Sequence, residues 1–220
     1  MFIEIDNVEL RVASEHLLKG IYLKAETGKI TGILGANGCG KSSLLSILFG
    51  SLSPDHKLIR IDSKPYLKPL FTYNIVKLLP QDSFIPSHLK IKTVFSLFEV
   101  SWDDFTGHFE SFSTYSNSTI REISGGERRL IEAYLVVKSK AELVLLDEPF
   151  THLAPIYIEK FKKILKKEAK TKAVVMTDHL YHHIIDLADD LYFLTNGCTQ
   201  LIKDPVELEN LKYLSSGTVS

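Results

Sequence analysis

The sequence has few of the features that mark secreted, membrane-spanning or nucleic-acid-binding chains. Only two of its 220 residues are cysteines, Cys39 and Cys198, which argues against a disulfide framework and favours a reducing cytoplasm. No apolar run approaches the roughly 20 residues that a membrane span needs, so we expect another chain to do any spanning. The 26 basic and 27 acidic residues nearly cancel, and charge therefore gives no reason to expect a nucleic-acid partner.

A glycine-rich loop stands between two apolar segments. Residues 30–34 form an uninterrupted run that is typical of a buried strand, and residues 44–49 have the spacing of a helix. Strand, loop and helix in this order, with the pattern G-x-x-x-x-G-K-[ST], indicate a phosphate loop. The loop and the start of its helix comprise Gly35, Ala36, Asn37, Gly38, Cys39, Gly40, Lys41, Ser42 and Ser43.

The residue types of this loop suit a nucleoside triphosphate. Glycines let successive N–H groups point inward, and the helix start adds partial positive charge beneath the phosphates. We expect Lys41 to reach the β- and γ-phosphates and the Ser42 hydroxyl to ligate Mg²⁺. Cys39 should lie beside the phosphates, where ATP would protect it from a thiol reagent.

A second glycine pair precedes a second helical pattern, in the segment Ser124-Gly125-Gly126-Glu127. Ser124 and Glu127 have the spacing of a capping box, which alone would explain them structurally. A capping box does not require adjacent glycines, however. Bare N–H groups at a helix start also form an anion-binding end, so the segment is a candidate for a second phosphate contact.

Two carboxylates end the apolar run at residues 143–146. A strand buried on both faces that ends in acids places them at the carboxyl edge of a parallel sheet, where ligands bind. We expect Asp147 to lie on the Mg²⁺ side of the phosphates. Glu148 could orient and deprotonate an attacking water molecule.

An aromatic stretch covers residues 84–118, and its rings recur at helical spacing from 95 to 112. We interpret residues 84–140 as an inserted helical subdomain, with two short helices of which the second is capped at Ser101. The rings either fill its core or form a docking surface. Residues 111–118 are predicted to be a polar loop.

Other patterns have plainer interpretations. His179, His182 and His183 have partial zinc-ligand spacing, but no further ligand is evident. The lysines of a helix predicted over residues 156–168 are interpreted as a solvated face rather than a membrane or nucleic-acid patch. A last helix is predicted near residues 206–214.

The order of these motifs resembles the ABC ATPase family, and more narrowly a stand-alone ATP-binding subunit of an ABC transporter. The motifs are the phosphate loop, Gln81, residues 124–127, residues 147–148 and His179. The resemblance implies a single ABC ATPase domain over residues 1–220, with an α/β P-loop NTPase fold. That fold has a parallel-sheet core, an N-terminal antiparallel β portion and an inserted helical subdomain.

The resemblance also implies roles and partners. Gln81 would touch Mg²⁺ and the attacking water and would sense the membrane partner, Glu148 would be the catalytic base, and His179 would contact the γ-phosphate. Two protomers would pack head to tail, each ATP lying between one phosphate loop and the other subunit's Ser-Gly-Gly. The expected function is an ATPase that drives a separate membrane-spanning subunit from the cytoplasmic face. The alternatives are a soluble ABC ATPase acting on nucleic acid or ribosomes, and a regulatory nucleotide-binding module without turnover.

Three positions depart from the family pattern. Val12 stands where the family has an aromatic residue that stacks on adenine, so base stacking should be weak or come from elsewhere. Ala154 replaces an aspartate that helps the two sites communicate. Glu127 replaces the glutamine of the Ser-Gly-Gly motif, a change that should cost little near a helix start.

Overall fold

A computed structural model describes residues 1–215, 217 and 218. The strands are β1 (Phe2–Val12), β2 (Glu15–Glu26), β3 (Ile30–Leu34), β4 (His56–Ile61), β5 (Lys64–Pro65), β6 (Val76–Leu79), β7 (Leu143–Asp147), β8 (Ala173–Thr177), β9 (Asp190–Thr195) and β10 (Cys198–Ile202). The α-helices are α1 (Lys41–Phe49), α2 (Ile91–Leu97), α3 (Trp102–His108), α4 (Gly125–Lys138), α5 (Pro155–Ala169), α6 (Tyr181–Leu187) and α7 (Glu207–Asn210). Short 3₁₀ helices cover Leu70–Tyr73, Glu110–Tyr115 and Ile120–Glu122.

The strands form two sheets. The larger sheet has the order β10-β9-β3-β8-β7-β6, and every neighbouring pair in it is parallel except β10 with β9. The smaller sheet, β2-β1-β4-β5, is antiparallel. This mixed α/β arrangement, with a parallel core and an antiparallel N-terminal portion, confirms the predicted fold class.

The parallel sheet is covered on both faces, which explains why its strands are apolar throughout. Side chains alternate between the faces, so that Leu143 and Leu145 of β7 pack in one core while Val144 and Leu146 pack in the other. One core lies between the two sheets and contains α1. The other contains α4, α5 and α6 together with the aromatic segment.

The aromatic rings are buried, as the core interpretation predicts, but they belong to this second core rather than to a separate core of the inserted subdomain. Phe95, Phe105, Phe109 and Phe112 are fully buried, and the ring centroids of Phe105 and Phe112 are 5.0 Å apart. The two short helices are α2 and α3, and the Ser101 hydroxyl accepts a hydrogen bond from an N–H group in the first turn of α3. The segment between β6 and β7 therefore shares its core with the sheet.

Two local predictions were wrong. Residues 111–118 were expected to be a polar loop, but a 3₁₀ helix covers Glu110–Tyr115 because burial of the Phe112 ring draws the backbone inward. The last helix is shorter than predicted, since α7 ends at Asn210 and turns follow it. Its one buried residue, Leu208, satisfies the apolar pattern without a longer helix.

Candidate nucleotide site

The phosphate loop joins the carboxyl end of β3 to the start of α1. Gly40 caps the helix with φ 107°, in the left-handed region that favours glycine. No side chain caps this helix, and its first turn contains no acidic residue. The N–H groups that every helix start leaves unpaired therefore face the cleft without competition from the chain itself.

Lys41 lies largely buried along the inside of this loop. Its ammonium donates hydrogen bonds to the carbonyl oxygens of Gly35 at 2.7 Å and Ala36 at 3.0 Å. The Cys39 thiol is 4.0 Å from the same nitrogen, and its proximity to bound phosphates stays a prediction. The arrangement places one positive charge beside the helix start, which suits a polyphosphate.

Glu148 lies immediately after β7, where the parallel strands end. Its φ of 52° is unusual for a residue with a side chain, and its N–H donates to the carbonyl oxygen of Thr177 at the end of β8, 2.8 Å away. Such a conformation persists only where the surroundings enforce it, and it is frequent at functional sites. The turn brings the Glu148 carboxylate into the cleft.

Three side chains from separate elements surround the Glu148 carboxylate. Gln81 donates from Nε2 to Oε2 at 3.3 Å, Thr151 donates from Oγ1 to the same oxygen at 3.3 Å, and Nδ1 of His179 lies 3.5 Å from it. The carboxylate is 15% exposed while the imidazole is 44% exposed. A base that is held in place but open to water on one side can receive a proton from a bound water molecule.

Asp147 is almost completely buried beside the loop. Burial raises the pKa of its carboxyl, and the nearby Ser42 hydroxyl opposes that rise. Within the part of the chain that the structure describes, its Oδ1 atom has no hydrogen-bond partner. This carboxylate oxygen and the neighbouring Ser42 hydroxyl oxygen together suit a hard divalent cation.

Asp178 lies next to His179 and binds the backbone of two neighbouring turns. Its fully buried carboxylate accepts hydrogen bonds from the N–H groups of Phe150 at 3.1 Å and Leu180 at 2.8 Å, and it lies 3.6 Å from Nδ1 of His179. Burial raises the pKa of Asp178, and these two backbone bonds oppose that rise. The aspartate thus ties the turns after β7 and β8 together.

Several of these groups line one cleft of about 540 Å³. The structure brings together the loop, Gln81, Glu148 and His179, as the motif order predicts. The lining residues are Leu17, Asn37, Gly38, Gly40, Lys41, Ser42, Ser43, Gln81, Glu148 and His179.

A second cleft of about 550 Å³ adjoins the first and shares Leu17 and Gly38 with it. Val12, which is 56% exposed, and His16 lie on its wall. No Phe, Tyr or Trp is among the residues that line it. This second cleft lies beside the phosphate loop, and weak base stacking at Val12 stays a prediction.

The segment at residues 124–127 is not among the residues that line either cleft. It starts α4 with a complete capping box, in which Glu127 N–H donates to the Ser124 hydroxyl at 3.2 Å and Ser124 N–H donates to the Glu127 carboxylate at 2.8 Å. A Cβ atom on Gly126 would meet the His152 carbonyl oxygen at 2.4 Å, whereas one on Gly125 would meet nothing within 4 Å. Packing within the chain therefore requires glycine at the second position and leaves the first open.

The sequence analysis missed several polar residues that build this site. Arg129 is buried in α4 and donates through Nη1 to the Pro80 carbonyl oxygen at 2.7 Å and through Nη2 to the carbonyl oxygens of Asp147 and Glu148, the latter at 3.1 Å. Glu132, also in α4, is fully buried. Charged residues inside an otherwise apolar helix were the available signal, because such groups are rarely buried without partners.

The structure also bears on metal binding, on the lysines of α5 and on membrane spanning. Among the described residues there is no cluster of three or more histidine, cysteine or acidic side chains that could hold a metal ion. Lys162 of α5 is buried and paired with Glu159 at 3.3 Å and Asp186 at 3.0 Å, so the lysine face is not uniformly solvated. No helix in the described ranges is both long and apolar enough to cross a membrane.

Comparison with known proteins agrees with this geometry. The family model described as ABC transporter matches residues 18–151. The lipopolysaccharide export system ATP-binding protein LptB of Haemophilus influenzae is 26% identical over 208 residues, covering 87% of this chain and 86% of that protein. The branched-chain amino acid transport ATP-binding protein BraG of Pseudomonas aeruginosa is 26% identical, with 89% of each chain covered.

Other relatives are longer, and the solved structures are more distant in sequence. ABC transporter A family member 11 of Dictyostelium discoideum is 25% identical, and the match spans 91% of this chain but only 25% of that protein. A solved ATP-binding subunit of an ABC transporter shares the fold with a TM-score of 0.81 at 16% identity, covering 98% of this chain and 95% of the other. The chain therefore belongs to the ABC transporter family.

Proposed function

We propose that this chain hydrolyses ATP in the cleft described above and that hydrolysis drives a separate membrane-spanning subunit. The observation that carries the proposal is the meeting of Gln81, Glu148 and His179 at the mouth of the phosphate-loop cleft. Gln81 and His179, which are distant in sequence from each other and from Glu148, converge there on the Glu148 carboxylate. A regulatory module without turnover would not need that convergence.

The proposed reaction uses the chain's residues in separate roles. Glu148 accepts a proton from water while the water oxygen bonds to the γ-phosphorus, and the bond from that phosphorus to the bridging oxygen of ADP breaks. Gln81 orients the water and His179 contacts the γ-phosphate. Lys41 and the N–H groups at the start of α1 balance the charge that develops on the phosphate oxygens.

The residues present fit a magnesium ion. The Ser42 hydroxyl and Asp147, whose Oδ1 atom lacks a hydrogen-bond partner among the described residues, would hold it, and Gln81 would supply a further oxygen. When bound, the ion supplies positive charge that neutralises the β- and γ-phosphate oxygens. Carboxylate, hydroxyl and amide oxygens are the ligands that this cation prefers.

The start of α4 belongs, in this proposal, to a partner's site. Residues 124–127 lie outside the cleft of their own chain, and the capping box leaves the N–H groups of Gly125 and Gly126 for an external anion. Two copies packed head to tail would each cover the other's ATP. Glu127 caps its own helix here, so its replacement of the family's glutamine keeps a structural role, while Ala154 removes one expected link between the sites.

The membrane partner is inferred from the relatives, whose names describe ATP-binding units of import and export systems. Residues 84–140 and the segment after Gln81 would form the docking surface. The chain would then act at the cytoplasmic face of a membrane, peripheral to it through the partner. Neither nucleic acid nor ribosomes are expected to bind.

Glu148→Gln tests the catalytic part. We expect steady-state hydrolysis to fall by about 10²–10⁴-fold, because the amide cannot accept the proton. ATP binding should persist, and the variant should elute as a dimer in size-exclusion chromatography with ATP. Glu142→Gln, a carboxylate just before β7, is the matched control and should retain activity; equal activity in Glu148→Gln and wild type would contradict the proposal.

The partner is tested by recovering the tagged protein from detergent-solubilised cells. We expect a polytopic membrane protein in stoichiometric amount. Recovery of soluble proteins or nucleic acid alone would instead favour a soluble ABC ATPase that acts on nucleic acid or ribosomes.

A further inference from the structure

Three charged side chains of α4 point into the protein rather than into solvent. Arg128, Arg129 and Glu132 lie within about one turn of one another, and we call them the α4 clamp. Glu132 is fully buried, Arg129 is nearly so, and Nε of Arg128 lies 3.1 Å from a carboxylate oxygen of Glu132. Buried charges of this kind stabilise a fold no better than well-packed apolar residues, so their bonds merit a functional explanation.

Glu132 and Arg128 hold the distal end of the segment that contains Gln81. Oε1 of Glu132 accepts hydrogen bonds from the N–H groups of Phe84 at 3.2 Å and Ile85 at 3.3 Å. Nη2 of Arg128 donates to the Ile85 carbonyl oxygen. Both polar groups of the Ile85 backbone are therefore bound to side chains of α4, and this end of the segment follows the helix.

Arg129 holds the other end of the same segment and the catalytic turn. Its guanidinium binds the carbonyl oxygen of Pro80, the residue before Gln81, and the carbonyl oxygens of Asp147 and Glu148. One planar group thus sets the spacing between Gln81 and Glu148, whose side chains meet at 3.3 Å. The planar fork of arginine provides several donors with fixed geometry, which suits this task.

We propose that the α4 clamp is a positioning device that fixes Gln81 against Glu148 and makes this alignment depend on the placement of α4. Because α4 begins at Ser124, a force on that helix start would reach the water-orienting amide through Arg128, Arg129 and Glu132. This inference rests on the proposed hydrolysis of ATP. The clamp residues touch neither cleft and act only through Gln81 and Glu148.

Glu132→Gln tests the clamp because it keeps the shape of the side chain but removes its charge and turns one oxygen into a donor. We expect kcat to fall by about 10–100-fold, since small misplacements of reacting groups have effects of this size. KM and the Kd for a fluorescent ATP analogue should change little, because Lys41 and its loop lie on other elements. Glu168→Gln is the matched control: Glu168 is a largely buried carboxylate that pairs with Lys138 and Lys172, each at 3.1 Å, away from Gln81.

A double-mutant cycle with Gln81→Ala separates positioning from general damage. If the clamp acts through Gln81, Glu132→Gln should lower kcat by less than about 2-fold in the Gln81→Ala background. If the fold-losses in kcat of the two single substitutions multiply in the double variant, Glu132 acts independently of Gln81, and the inference is overturned.

The controls also distinguish the possible failures. A wild-type protein without ATPase activity would overturn the proposed function, whereas an active wild type with Glu132→Gln equal to Glu168→Gln would overturn only the clamp. If Glu132→Gln fails to fold, Arg128→Lys replaces it, since a lysine can reach either Glu132 or the Ile85 carbonyl oxygen but not both. An unchanged kcat in folded Arg128→Lys would then count against the proposal.

Discussion

Two helices of this chain begin at glycine-containing turns, and they differ in whether side chains bind the N–H groups at the helix start. At the start of α1, Gly40 takes the cap position and no side chain competes for the N–H groups. At the start of α4, Ser124 and Glu127 cap each other's backbone. The first start is open toward a cleft of its own chain, while the second is partly satisfied and lies outside that cleft.

The difference teaches that a helix start becomes a complete anion site only when the chain supplies walls and charge around it. The α1 start has Lys41, Asp147 and Glu148 within the same region. The α4 start has an open space at Gly125, which in our proposal is filled by the ATP bound to a second copy. Its capping box stabilises the helix whether or not an anion is bound.

Among changes to the two helix starts, Lys41→Ala should produce the largest effect, because it removes the positive charge beside the start of α1. Loss of a charged hydrogen-bonding group typically costs about 1.5–3 kcal/mol, so the affinity of the isolated chain for ATP should fall by about 10–100-fold. Titration with a fluorescent ATP analogue measures it. Lys140→Ala, a highly exposed lysine paired with Glu99, is the control, and an equal loss in both variants would contradict the assignment.

Substitutions of the two glycines of α4 should separate structure from function. Gly126→Ala places a methyl group against the His152 carbonyl oxygen and should lower the free energy of unfolding by about 1–3 kcal/mol. Gly125→Ala should change that free energy by less than about 0.5 kcal/mol, because the space there is open. Urea denaturation of both variants makes the comparison.

Gly125→Ala should nevertheless lower steady-state ATP turnover by about 10-fold. The added methyl group would keep a phosphate from one N–H group of the α4 start, and loss of one hydrogen bond to a charged group has an effect of this size. Binding of ATP to the isolated chain should be unchanged. Full turnover in this variant would remove the evidence that the α4 start serves a partner's site.

Val12→Tyr tests whether the adenine base of ATP binds in the second cleft, beside the start of α1. The second cleft has no Phe, Tyr or Trp on its wall, and an added ring could stack on adenine with a gain of about 1 kcal/mol, or about 5-fold in Kd. We expect tighter ATP binding by calorimetry, with Val12→Leu as the control. Equal affinities of the Tyr and Leu variants would place the base elsewhere.

Cys39 provides the mildest test of the α1 start. A thiol reagent should inactivate the enzyme, and saturating ATP should slow inactivation because the Sγ atom lies 4.0 Å from the Lys41 ammonium. Cys198 is exposed in β10, so Cys39→Ser should become resistant while Cys198→Ser stays sensitive. Equal inactivation rates with and without ATP would contradict this placement.

Sequence patterns predicted the elements whose signals are local. The phosphate loop, the acids after β7 and the Ser101 cap are each encoded within a few consecutive residues, so no distant contact is needed to recognise them. The aromatic spacing predicted burial but not the 3₁₀ helix at Glu110–Tyr115, because the backbone there follows the Phe112 ring. Residues 206–214 carry apolar side chains as far as Leu214, and this pattern did not indicate that the helix ends at Asn210.

By itself the sequence determined the phosphate-binding chemistry, the parallel core and the order of the motifs, since residue type and spacing are properties of the chain. Only the tertiary structure decided that Gln81, Glu148 and His179 share one cleft while the start of α4 stands apart. It also decided that Arg129 and Glu132 bind the backbone around Gln81 rather than solvent. The physical reason is that strand register and helix packing set distances between residues far apart in sequence, and no local pattern encodes those distances.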